Sequence, residues 1–157
     1  MIIYLDACCY SRPYDNEEHL VQHSVRAEIA AIFAIVELCK KVGYKIAGSF
    51  AVTDEIGRTP QAEKLEKVLA YYHKNVNLHI PLSADISNRA SGLVAQGVKE
   101  YDAYHLAYAE AAGVDFLLTT DKRFLKNCTN NKLSIVNVVN PSTLLPEVIK
   151  WVQSLLM

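Results

Sequence analysis

Four carboxylates carry the chemical signal in this sequence: Asp6, Glu55, Asp102 and Asp121. Asp6 directly follows the apolar run Met1–Leu5, and Asp121 follows the apolar run Val114–Thr120. Basic residues stand beside three of them: Arg12 after Asp6, Arg58 after Glu55, and Lys122, Arg123 and Lys126 after Asp121. Clustered carboxylates repel one another and require a compensating cation. Oxygen donors suit a hard ion, so the expected cation is Mg²⁺ or Mn²⁺. A carboxylate-held ion that keeps waters suits phosphodiester hydrolysis, because it acidifies a water and neutralises the leaving oxygen. The neighbouring Arg and Lys side chains would then hold backbone phosphates around the acidic centre. Thr119 and Thr120 add hydroxyls beside Asp121. Each acid also has an ordinary use. Asp102 would complement a helix N-terminus, Asp121 would cap one, and Glu55, like its neighbour Asp54, would be a solvated surface acid.

The elements that must bring these residues together read as follows. Met1–Asp6 is a short buried strand, and Ala7–Asn16, with Pro13, reads as a loop. Apolar residues at three- and four-residue steps predict a helix from about Glu17 to Val42, stopped by Gly43. Tyr44–Gly48 is a strand, and Ser49 caps a short helix to Gly57. Thr59-Pro60 reads as the start of a helix running to about Asn75, and Val76–Pro81 as a strand. Helices are expected at 84–96, after Ser83, and at 100–112, before Gly113. Val114–Thr120 is the clearest strand, followed by a short helix at 121–128, a strand at 133–139 and a last helix at 141–156. Alternating buried strands and helices imply an α/β fold, a mainly parallel sheet covered on both faces. Functional residues in such folds collect beyond the carboxyl ends of the strands. Asp6 and Asp121 should meet there. Asp115, at the start of its strand, falls at the opposite edge.

The rest of the composition narrows the class. With 157 residues, half of them apolar, one domain spanning 1–157 with a proper core is expected. No apolar run approaches a membrane span, and no secretory signal is visible at Met1, so the expected location is cytoplasmic. A net charge of -1 offers no general attraction for nucleic acid, so any such partner needs a local basic patch. Cys8, Cys9, Cys39 and Cys128 form no CxxC and no zinc spacing, and read as buried thiols. His105 follows Asp102 by one helical turn and reads as a structural, hydrogen-bonded side chain.

Three stretches resemble the PIN domain family of small metal-dependent nucleases: "IIYLDACCYSRPYDN", "SFAVTDEIGR" and "YDAYHLAYAEAAGVDFLLTTDKRFLK", with "VVNPSTLL" resembling its closing strand and turn. The resemblance implies a three-layer α/β/α fold and a Mg²⁺- or Mn²⁺-dependent ribonuclease. It aligns Asp6, Glu55, Asp102 and Asp121 with the family's acidic quartet. In that reading Asp6, Asp102 and Asp121 hold the metal, and Glu55 completes the charge or aids water activation. Arg12, Thr120, Lys122 and Arg123 would face the substrate. Many single-domain members are toxins, often dimeric, silenced by a small antitoxin, so RNA, an antitoxin and a homodimer are the implied partners. Cys8 departs from the pattern, because many members carry a polar Asn or Ser two residues after the first Asp. An inactive RNA-binding or protein-interaction module on the same fold is the alternative. A haloacid-dehalogenase-like phosphatase would need an acid at position 8, and a dinucleotide-binding fold would need a GxGxxG after the first strand; neither is present.

Overall fold

Strand β1 (Ile2–Leu5) lies at the centre of a five-stranded sheet with β2 (Lys45–Gly48), β3 (Leu78–His79), β4 (Phe116–Leu118) and β5 (Asn137–Val139). In this computed structural model, which describes residues 1–15 and 22–157, the strand order is β3-β2-β1-β4-β5 and every neighbouring pair is parallel. A parallel sheet needs helices on both faces, and its central strands are therefore apolar throughout. Ile3, Tyr4 and Leu5 are fully buried, as are Leu117 and Leu118 opposite Tyr4 and Leu5. Beyond the ladder, Asp6 N–H donates to the Leu118 carbonyl at 3.1 Å, which ties the end of β1 to the end of β4.

The helices are α1 (Ala7–Ser11), α2 (His23–Val42), α3 (Phe50–Gly57), α4 (Ala62–Asn75), α5 (Ala84–Ala95), α6 (Glu100–Ala112), α7 (Lys122–Asn131) and α8 (Pro141–Leu156). The architecture is the expected PIN-like α/β/α one. The apolar stripe of α2 buries Val25, Ile32, Ile35, Val36 and Cys39, and the helix packs against α8. Gly43 stops it in the left-handed conformation at φ 78°, where any side chain would be strained. Asn140 caps α8 through Ser142 N–H at 2.9 Å, and its amide donates to the buried Glu28 of α2 at 2.6 Å. Helix α6 packs on α5 and carries an almost wholly buried run, Ala103 to Ala109 with only Tyr104 half-buried.

Several boundaries differ from the sequence reading, each for a local reason. Residues 7–14 are not a loop: Asp6 caps α1, and a 3₁₀ turn follows at Arg12–Tyr14. Pro13 fits there because the opening of a helical turn leaves its nitrogen without a hydrogen-bonding duty. Helix α2 is described from His23; the predicted start at Glu17 lies outside the described residues. Thr59-Pro60 does not open α4. Thr59 N–H closes α3 onto the Ile56 carbonyl, and α4 starts after Gln61 without a side-chain cap. The strands are also shorter than their apolar runs, since pairing ends where the neighbouring strand ends.

Gly48 marks a close approach. A Cβ there would overlap the Tyr72 hydroxyl and Val76 Cγ1. Gly48→Ala is expected to destabilise the protein by about 2 kcal/mol, read as a lower denaturation midpoint with an unchanged slope.

Candidate active site

The carboxyl ends of β1 and β4 deliver the first and last acids of the quartet. Asp6, 4% exposed, caps α1: its Oδ1 accepts from Cys9 N–H at 3.3 Å and from the Cys8 thiol at 2.7 Å. Asp121 caps α7, its Oδ1 accepting from Arg123 N–H at 2.9 Å and Phe124 N–H at 3.2 Å. Both caps engage Oδ1, so capping and cation binding are compatible uses of one side chain. Thr119, fully buried, accepts from Asp121 N–H at 3.0 Å and so fixes the entry to α7. Asp102 sits half-buried in the first turn of α6. Glu55, on α3, is held at 2.8 Å by His105 Nε2 of α6. Asp115, as expected, lies at the other edge, where it accepts from Ile2 N–H at 2.8 Å.

Asp6, Glu55 and Asp121 each act electrostatically on Asp102. Burial pushes the Asp102 carboxyl up to about 7, His105 opposes that, and Asp6, Asp121 and Glu55 each push it further up. Burial also holds Asp6 well above the usual carboxylate range, with the adjacent Cys8 adding to it and His105 opposing. Like charges crowd each other here, and among the described residues no Lys or Arg forms an ion pair with Asp6, Asp102 or Asp121. Such a cluster is unfavourable as it stands and becomes favourable with a divalent cation in it. Carboxylate oxygens of this kind suit a hard ion of the Mg²⁺ or Mn²⁺ class, although the Asp102 and Asp121 oxygens do not lie within 4.8 Å of the Asp6, Cys8 and Cys9 ligand atoms as one group.

The sequence matches the PIN domain over residues 3–129. The chain belongs to the PIN domain family. PIN domains are generally nucleases, that is, hydrolases. No curated protein matches the chain. Two solved structures are similar to it in fold. One is VapBC2 from Rickettsia felis bound to a DNA fragment from their promoter, with a TM-score of 0.55 and 18% identity over 88% of this chain and 98% of that one. The other is VapBC-1 from nontypeable Haemophilus influenzae, with a TM-score of 0.51 and 13% identity over 90% of this chain and 99% of that one.

Asp6, Glu55, Asp102 and Asp121 lie on segments that reach one edge of the sheet, but the basic residues divide. Lys122 and Arg123 stand exposed on the first turn of α7, next to Asp121. Thr120 is buried and its N–H donates to Cys8 Sγ at 3.3 Å. Arg12 is held between Asp15, at 3.3 Å, and the buried Glu28, at 3.6 Å. A phosphate would have to compete with both carboxylates for it. Arg58 stacks over the Tyr101 ring, 5.2 Å from its centroid, while the Tyr101 hydroxyl donates to Asp54 at 2.5 Å.

The cysteines split as well. Cys9, Cys39 and Cys128 are buried free thiols that burial pushes up. Cys9 donates to the Leu118 carbonyl at 3.3 Å. Cys8 is different, because it touches Asp6 and lies 3.5 Å from Thr119 Oγ1. Asp6, Cys8 and Cys9 bring their ligand atoms within 4.8 Å of one another, the one such group of metal-ligating side chains among the described residues. Cys8 thus does what a polar residue two positions after the Asp would do: it donates to the carboxylate. Its place two residues beyond a strand-ending Asp was the signal that could have revealed it. Cys8→Ser keeps a donor and Cys8→Ala does not. Once nucleolytic cleavage is assayed, the serine variant is expected to turn over about 10-fold faster than the alanine variant.

From the sequence His105 reads as structural, Ser49 reads only as a helix cap, and Tyr4 carries no signal of its own. In the structure all three are fully buried and linked to Glu55. Only the three-residue spacing from Asp102 hinted at His105, and nothing local connects Tyr4 or Ser49 to it.

Proposed function

We propose that this PIN domain is a metal-dependent endoribonuclease, with the whole chain 1–157 acting as one nuclease domain. The observation that carries the reading is that Asp6 and Asp121 follow the paired strands β1 and β4, with Asp102 near enough that, after burial, Asp6, Asp121 and Glu55 each push its carboxyl further up. Asp6, Asp102 and Asp121 would hold Mg²⁺ or Mn²⁺, and Glu55 would accept the proton of the attacking water or complete the charge. The bound ion would supply an acidified water and neutralise the leaving oxygen. Lys122 and Arg123 would place RNA phosphates beside the acids, with Thr120 lining the same edge. Arg12 would join them only on leaving Asp15 and Glu28.

The fold likeness to two VapBC structures supports a role as the toxin of a toxin–antitoxin pair, bound by a small antitoxin; a homodimer is part of the same proposal. No helix among the described residues is long and apolar enough to cross a membrane, which is consistent with action in the cytoplasm.

The test is cleavage of single-stranded RNA by purified protein. Mn²⁺ should support it and EDTA should stop it. RNA binding with no metal-dependent cleavage by well-folded protein would contradict the nuclease reading and favour a binding module on the same fold. A small protein encoded beside this one that abolishes cleavage when co-purified is the expected outcome for the toxin role.

A further inference from the structure

A line of buried hydrogen bonds runs from the head of α3 through the central strand to Glu55. Ser49 Oγ lies 2.7 Å from the Tyr4 hydroxyl, Tyr4 Oη lies 2.7 Å from His105 Nδ1, and His105 Nε2 lies 2.8 Å from Glu55 Oε1. Ser49, Tyr4 and His105 are each 0% exposed, so bulk water does not reach the two inner bonds, while Glu55 at the end of the line is 36% exposed.

With Glu55 as acceptor and a neutral ring, the donor inventory gives one consistent direction for every bond. An ionised carboxylate only accepts, so His105 Nε2 carries a hydrogen. In a neutral ring Nδ1 then accepts, and the Tyr4 hydroxyl donates to it. The Tyr4 oxygen accepts in turn from the Ser49 hydroxyl, and Ser49 Oγ accepts from Val52 N–H at 3.4 Å as the cap of α3. Every group is satisfied. In the imidazolium, Nδ1 donates to the Tyr4 oxygen instead, and Nε2 still donates to Glu55. The same hydroxyl that starts α3 thereby orients a side chain on the last turn of that helix.

We propose that Ser49, Tyr4 and His105 form a positioning relay for Glu55, with His105 donating from Nε2. The relay fixes Oε1 and leaves Oε2 as the oxygen for water or cation. It rests on the reading of Glu55 as part of the nuclease centre. His105 is a positioning residue, because it acts through Glu55.

The experiment has a kinetic and a spectroscopic arm. In the kinetic arm, Tyr4→Phe keeps the ring and removes the hydroxyl; kcat for RNA should fall about 10-fold with KM unchanged. His105→Gln supplies an amide N–H to Glu55 without needing Tyr4. It should retain more activity than His105→Ala, and adding Tyr4→Phe to it should cost nothing further. A purely structural role predicts losses that add in the double variant and follow thermal stability. In the second arm, ¹⁵N NMR of wild-type protein should show His105 with hydrogen on Nε2, and Tyr4→Phe should alter the Nδ1 resonance. Wild-type kcat in Tyr4→Phe, additive losses, or an Nε2 without hydrogen would each overturn the relay. If wild-type protein cleaves no RNA, the nuclease reading fails, and the spectrum of the same protein still decides the hydrogen-bond line.

Discussion

Asp102→Asn is expected to stabilise the metal-free protein at pH 7.5 while erasing its stabilisation by Mn²⁺. The Asp102 carboxyl stands at an ordinary 3.8 when unfolded and at about 7 in the folded protein. Between those values the folded state holds a proton that the unfolded state has lost. Stability therefore falls as pH rises through this window. The contribution is fully present below about pH 4 and lost above the folded value near 7. A salt-bridged Asp, whose folded value is depressed, shows the reverse. Asparagine keeps the shape and removes the charge. Discounted for the partial exposure of Asp102, the gain is on the order of 2 kcal/mol, or ~5 °C in Tm for a chain of this size. Wild-type protein should recover that loss when a cation binds, by mass action. The measurement is a set of melting curves from pH 4.5 to 8, with and without 1 mM Mn²⁺ (roughly 100 times a Kd of ~10 μM, worth ~2.7 kcal/mol). A wild-type Tm that rises with pH across this range in metal-free buffer, or a cation shift retained in Asp102→Asn, would contradict the placement of Asp102 in the acidic cluster.

The second large effect is on turnover. Asp6→Asn should lower kcat/KM for RNA by about 10³-fold, some 4 kcal/mol of lost charge stabilisation. The fold should survive, because the amide oxygen still accepts from Cys9 N–H and caps α1. The buried charge that burial makes unfavourable is also gone, so Tm should hold or rise. Loss of activity with a preserved or higher Tm separates a functional acid from a structural one. Full activity in Asp6→Asn would remove Asp6 from the chemistry.

Much of this was legible in the sequence for a physical reason. Strands β1 and β4 are apolar because both faces of a parallel sheet are covered, and their terminal acids stand out against that background. Ser49, Ser83 and Gly113 announce helix ends by local chemistry, and each does so where expected. Thr59-Pro60 has the same local signature but closes α3 instead, because position in the chain, not residue type, decides which helix a Pro serves. The site was less legible. Asp121 is both a cap and a member of the acidic cluster, and sequence offered these as alternatives. Arg12 looked free beside Asp6; its partners Asp15 and Glu28 come from the 3₁₀ turn's end and from α2. The Ser49–Tyr4–His105–Glu55 line joins positions up to 101 residues apart, a link no spacing rule contains.

The most direct test of the central claim is a crystal soaked in Mn²⁺, with an anomalous difference map at the Mn edge. The account predicts one strong peak bonded to carboxylate oxygens of Asp6, Asp102 and Asp121, at about 2.1–2.2 Å for an octahedral ion of this class, with Glu55 still hydrogen-bonded to His105. A map with no peak at Asp6, or a peak held by the Cys8 and Cys9 sulfurs apart from Asp102 and Asp121, would contradict it.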